Sequence, residues 1–120
     1  MAGGMSIHVV DVSRGVVATG MRVAVYRQAS GAVGELLAAG TIAADGSLRA
    51  PVLASEAIGP GRYEVQFDVA GYYREQGIAL PAEPFLDVVH YGFGIADAAQ
   101  HYHLPMKVTP WGYSCFRGGA

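Results

Sequence analysis

The chain has 120 residues, 52% of them apolar and 15% charged, with 17 Gly and 6 Pro. That length supports one domain with a hydrophobic core, and much Gly and Pro without a G-X-Y period points to a turn-rich β protein, not a disordered or collagen-like one. Eight basic against ten acidic residues, a formal charge of −2 and a single lysine, Lys107, exclude electrostatic capture of nucleic acid or of anionic lipid.

In chain order, Ser6-Ile7-His8-Val9-Val10-Asp11 is β-branched and alternating, and Ser13-Arg14-Gly15 breaks it. Met21 to Arg27 alternates as a half-buried strand, with Met21, Val23, Val25 and Arg27 on one face and Arg22, Ala24 and Tyr26 on the other. A loop over 28–35 precedes a third strand, Leu36 to Thr41. Ala44-Asp45-Gly46-Ser47 then holds an Asp-Gly hairpin signal, because this dipeptide tolerates positive φ. After a loop with Pro51, Gly59, Pro60 and Gly61, Arg62 to Asp68 alternates cleanly and directs Tyr63, Val65 and Phe67 to the core. Ala70 to Gln76 is predicted as one short helix, closed by Gly77 in the left-handed position. Val88 to Ile95, His101 to Val108 and Tyr113 to Phe116 complete the strands. Short strands at regular spacing with one small helix predict an all-β, two-sheet sandwich. Residues 1–5 are expected to form a flexible N-terminus and residues 6–120 a single domain.

Cys115 stands alone, which rules out an intramolecular disulfide framework and a Cys-rich zinc site. No run approaches the length of a bilayer-spanning helix, and the N-terminus lacks the basic and apolar regions of a cleaved signal, so a cytoplasmic protein is expected.

Four histidines offer chemistry. On a strand His101 and His103 project from one face, about 7 Å apart over two residue rises. His8 would join them if its strand lies beside theirs. Neutral imidazoles suit acid–base work near pH 7, and three of them suit zinc. An H-x-H pair by itself is more often structural than functional, and His90 reads as an ordinary strand residue. Arg49 and Arg117 could each grip a carbonyl-rich or anionic ligand with the planar guanidinium fork, although a single arginine is more often a solvated surface group. Trp111-Gly112-Tyr113 reads as packing or turn. Cys115 reads as a small core residue, since no local feature lowers its pKa. With no glycine-rich phosphate loop, nucleophile elbow or Cys-x-x-Cys, what remains is acid–base or metal-assisted work by His and Arg, or no chemistry.

Three separated stretches carry a resemblance. Ser6 to Gly15 resembles the N-terminal signature of the transthyretin-related 5-hydroxyisourate hydrolases. His101-Tyr102-His103-Leu104-Pro105 is similar to that family's His-Tyr-His-Val-Pro, and Trp111 to Gly119 to its Tyr-Gly-Tyr-Ser-Thr-Tyr-Arg-Gly-Ser ending. Tyr63 to Tyr73 matches the strand and short helix between them, so the correspondence runs from about Ser6 to Gly119. It implies a transthyretin-like (prealbumin-like) sandwich, a homotetramer with active sites in a channel between dimers, and hydrolytic opening of the six-membered ring of 5-hydroxyisourate. Residue by residue, it implies His8 and His103 as the catalytic histidines, with His101 and Arg117 lining the same pocket. It implies no cofactor and no required metal, although some members hold zinc through the matching histidines. Transthyretin itself, a carrier, lacks this histidine set.

The sequence departs from that family at three places. Its arginine directly follows Asp-Gly, where this chain has Ser47. Arg49, two residues on, keeps the same facing on an extended strand but shifts about 7 Å along it. We take it as the third catalytic candidate. Phe116 stands in place of a tyrosine and Gly119 in place of the final serine, with Ala120 beyond. Each of these changes strips a polar group, so Ser47, Phe116 and Gly119 are expected to shape substrate binding. A pocket built to pair polar groups rejects a partner lacking them by about 10⁴-fold or more. Loss of such groups suits a less polar, N-substituted ring, such as the trimethyl-5-hydroxyisourate formed by oxidising caffeine at C8. The alternatives are a non-catalytic small-ligand carrier and a zinc-dependent hydrolase.

Overall fold

The computed structural model describes residues 3–28 and 34–119. Two four-stranded sheets face each other. The first, in the order β2-β1-β7-β8, joins β1 (Met5–Asp11), β2 (Val16–Val17), β7 (Tyr102–Thr109) and β8 (Gly112–Cys115). The second, β4-β3-β5-β6, joins β3 (Arg22–Arg27), β4 (Glu35–Thr41), β5 (Gly61–Asp68) and β6 (Val88–Ile95). The predicted sandwich is borne out.

Period-two alternation decides which side chains enter the space between the sheets. β1 sends Met5, Ile7, Val9 and Asp11 inward, and β7 sends Tyr102, Leu104, Met106 and Val108. They meet Val23 and Val25 of β3 and, as expected, Tyr63, Val65 and Phe67 of β5, all essentially solvent-free. The other half of each first-sheet strand, including Ser6, His8, His103 and Pro105, faces outward. Burying these strands' apolar faces therefore fixes where their polar side chains point.

β1 and β7 run parallel, with Ser6 opposite His103 and His8 opposite Pro105. Parallel neighbours need a long connection, and here nearly the whole chain supplies it. Helix α1 (Val69–Glu75) follows β5 directly, its first turn capped by Asp68 Oδ1, which accepts from the Gly71 amide at 3.0 Å. Gly77 ends it at φ +80°, as predicted. The helix is latched to β1. The hydroxyls of Tyr72 and Tyr73 donate to the buried carboxylate of Asp11 at 2.9 and 2.7 Å, and Ser13 Oγ donates to it at 2.6 Å.

Several boundaries differ from expectation. The helix begins at Val69, one residue early, because Asp68 takes the cap. His101 precedes β7 instead of lying on it, and β8 spans Gly112–Cys115. Two elements were not predicted. β2 is two residues long and exists only by pairing Val10 with Val17 and Asp11 with Val16. Pro51–Ala54, read as loop, forms a 3₁₀ turn that the fixed φ of Pro51 favours. The Asp-Gly turn is present, but its return limb makes isolated bridges, Ile42 to Leu48 and His8 to Ser47, rather than a full strand. The loop predicted over 28–35 lies mostly outside the described residues, as do residues 1–2 of the N-terminal segment and Ala120.

Candidate active site

The parallel pairing of β1 with β7 brings the two ends of the chain together. Ser6 and His103 lie side by side on the outward face, and Ser6 Oγ is 2.7 Å from His103 Nδ1 and 2.8 Å from His101 Nε2. The far nitrogen of His101, Nδ1, is 2.8 Å from the carbonyl oxygen of Gly3. His8 stands two residues along β1 on the same face; one strand spacing and two rises put its Cα about 8 Å from that of His103. Burial, followed by the neighbouring His8 and His101, holds the His103 imidazole below the usual histidine range. It is therefore neutral at neutral pH, with a lone pair to offer.

His8 is seated by the Asp-Gly turn. Its Nε2 lies 2.9 Å from the Asp45 carbonyl oxygen, to which it donates. The amide of Val9 donates to Gly46 O at 2.9 Å and that of Leu48 to Ile7 O at 3.1 Å, which makes His8 and Ser47 a closely spaced antiparallel pair. Gly46 has φ +89°, and a Cβ there would fall against His8 Nε2 and within 2.8 Å of Val17 Cγ1. Ser47 turns back on the loop, its amide and hydroxyl both donating to Asp45 Oδ1 at 3.0 and 2.7 Å. Arg49 donates to Asp45 Oδ2 at 3.0 Å with its side chain 71% exposed. The Ser47 hydrogen bonds first, and then the charge of Arg49, hold the Asp45 carboxyl below the usual carboxylate range. The antiparallel pairing ends at these bridges, and Arg49 lies just past them, outside any strand.

The C-terminal stretch continues the line of β8 past His103. Gly118 donates its amide to His103 O at 2.7 Å, and a Cβ on it would come within 2.9 Å of His103 Cδ2. Phe116 is 43% exposed, with Lys107 Nζ 6.0 Å from its ring centre. Gly119 is exposed with open space around it. Arg117 is not brought to the imidazole nitrogens. Its guanidinium lies 3.9 Å from the centre of the Tyr102 ring and donates to Gln100 Oε1 and to His101 O at 3.0 and 3.3 Å.

Other candidates fall away from this face. His90 pairs with Glu64 at 3.0 Å on the second sheet. Cys115 packs against the core, and burial pushes its thiol up to about 11, the opposite of nucleophile activation. Among the described residues no three His, Cys, Asp or Glu side chains are placed to hold a metal ion. The arrangement of these side chains does not fit a metal. Sequence reading missed Ser6, Asp45, Gly46 and Gly118 as site residues. The i, i+2 spacing of Ser6 and His8 was a usable signal, because strand residues so spaced share a face. Nothing local announced the backbone contacts of Asp45 and Gly118.

Each of the three imidazoles keeps some solvent access in the single chain. Neither of two grooves of about 490 Å³ on the molecule is lined by them.

A sandwich of two four-stranded sheets, with imidazoles gathered on the outer face of the β1–β7 pair, is a transthyretin-like protein. The chain belongs to the HIUase/Transthyretin family, whose sequence model matches residues 5–118. It is 53% identical over 74 residues to a protein of Ralstonia nicotianae named 5-hydroxyisourate hydrolase, a match covering 62% of this chain and 63% of that protein. It is 39% identical over 118 residues to a Halalkalibacterium halodurans protein of the same name, covering 98% and 99% of the two chains. Its fold superposes on Klebsiella pneumoniae 5-hydroxyisourate hydrolase with a TM-score of 0.78 and 28% identity, over 98% and 99% of the chains.

Proposed function

We propose that this protein is a hydrolase that opens the six-membered ring of 5-hydroxyisourate or of a close N-methylated analogue. The observation that carries the reading is the gathering of His8, His101 and His103, from opposite ends of the chain, on one partly solvated sheet face. The relatives named 5-hydroxyisourate hydrolase support the same chemistry. Water attacks the ring amide carbonyl, and His103 or His8 takes its proton. The carbonyl becomes a carboxylate, the C–N bond breaks, and a proton returns to the leaving nitrogen. Acid–base help of this kind contributes about 10² to 10⁴-fold. Arg49, two residues past Ser47 and paired with Asp45, is the cation we assign to the developing oxyanion; Arg117, turned onto Tyr102, would have to swing to reach it.

The preference for a methylated ring rests on Ser47. It stands directly against His8 where the family carries arginine, and its hydroxyl is spent on Asp45. Phe116 and Gly119 add no hydroxyl. Such a pocket has fewer polar groups left unpaired when ring N–H groups are replaced by N-methyl. We also place the protein in the cytoplasm as a homotetramer with no cofactor. The deciding experiment follows the ultraviolet absorbance of 5-hydroxyisourate and of its trimethyl analogue with and without protein. Faster decay of both, with the methylated compound preferred, is expected. A strong preference for the unmethylated compound overturns the methylated reading, and no acceleration of either leaves a ligand carrier.

A further inference from the structure

We infer that Ser6 is a positioning residue: its hydroxyl couples His101 to His103 in a one-directional hydrogen-bond chain that leaves His103 Nε2 as the bare nitrogen facing substrate. The direction follows from a fixed end. Gly3 O can only accept, so His101 Nδ1, 2.8 Å away, must carry a proton. A neutral His101 then has a lone pair on Nε2, and Ser6 Oγ, at 2.8 Å, donates to it. A hydroxyl has one proton. With it committed to His101, Ser6 Oγ can only accept from His103 Nδ1 at 2.7 Å. The proton of neutral His103 is thereby pinned on Nδ1, and its lone pair sits on Nε2.

The alternative arrangement loses one hydrogen bond of the chain. A proton on His103 Nε2 would turn Nδ1 into an acceptor, and Ser6 could satisfy only one of two facing lone pairs. His8 is fixed in the opposite sense, because donating from Nε2 to Asp45 O leaves its bare nitrogen at Nδ1. Two imidazoles on one face thus present different ring nitrogens, each set by a backbone carbonyl at the end of its chain. The backbone does not supply this for His103 directly; Ser6, held opposite it by the β1–β7 register, does. The catalytic consequence rests on the hydrolase reading above, whereas the tautomer does not.

The test compares Ser6→Val with Ser6→Thr, which have the same shape and differ by the hydroxyl. Nitrogen-15 NMR of the histidine rings above their titration range reads the tautomers without substrate. In the unaltered protein and in Ser6→Thr, His103 is expected to carry its proton on Nδ1; in Ser6→Val it should shift toward the Nε2–H form. Turnover of the better hydroxyisourate should fall in kcat by on the order of tenfold to a hundredfold in Ser6→Val, with KM little changed, and recover in Ser6→Thr. A His103 protonated on Nε2 in the unaltered protein overturns the inference even if Ser6→Val does not fold. So does a Ser6→Val protein that keeps both tautomer and kcat. A tautomer that responds as expected in a protein that hydrolyses neither compound would instead remove the hydrolase reading and leave the chain of hydrogen bonds standing.

Discussion

At position 46 the backbone runs at φ +89° and its Cα faces the His8 imidazole, so a side chain there meets both a conformational and a steric obstacle. Gly46→Ala is expected to lower kcat/KM by at least about tenfold and to destabilise the fold by roughly 1 kcal/mol or more, read by turnover and thermal melting. Position 47 tests substrate choice. Ser47→Arg introduces a guanidinium directly against His8 and should move relative kcat/KM toward unmethylated 5-hydroxyisourate by at least about tenfold. With His103 as the proposed base, its titration would set the pH dependence. Burial first, then His8 and His101, favours its neutral form, so the base stays active below the ordinary histidine range. The rate is expected to hold from pH 8 to about 6.5 and fall only below that value, as protonation removes the lone pair. A kcat/KM profile that already halves well above pH 7 would assign the base elsewhere. The types of these residues were legible in the sequence. The hydroxyl that joins two of them was not, because Ser6 gains its meaning only from what β7 sets opposite it.

Strand β1 serves both faces of its sheet. Outward it carries Ser6 and His8; inward it ends in Asp11, which ties it to helix α1 through Tyr72 and Tyr73. Burial alone would raise the Asp11 pKa, but the hydrogen bonds from Ser13, Tyr73 and Tyr72 outweigh it, and the carboxyl lies below its ordinary value. A carboxylate with a lowered folded pKa contributes stability that is present above its unfolded value, near about 4, and is lost as pH falls through the folded one. Acid unfolding followed by circular dichroism should therefore show a transition in that window that is weakened in Asp11→Asn. Asp11→Ala leaves two tyrosine hydroxyls without their acceptor and should cost roughly 3 kcal/mol, seen as a melting point lower by about 10 °C. The helix was readable within one residue because its cap, Asp68, and its terminator, Gly77, are local. The latch was unreadable, since Asp11 and the tyrosines are some sixty positions apart.

For the molecule as a whole, the second sheet packs on the inner face of the first and leaves the histidines of its outer face in partial contact with solvent. Assembly would enclose that face, and light scattering is expected to give about 50 kDa, four times the 12.5 kDa chain. A fully active species of one chain's mass would show that a single face suffices. Alternation in Ser6 to Asp11, Arg62 to Asp68 and Tyr102 to Val108 determined the β class and the inward set, because strand geometry is a property of neighbours; His101, which precedes β7, meets His103 through Ser6 instead. The spaced motifs likewise marked the family. Which strand lies beside which was decided only in three dimensions. The parallel register that sets Ser6 against His103, the turn that seats His8, and the turning of Arg117 onto Tyr102 all join residues far apart in sequence. Such contacts follow from how the two sheets bury their shared core, and no local pattern records that.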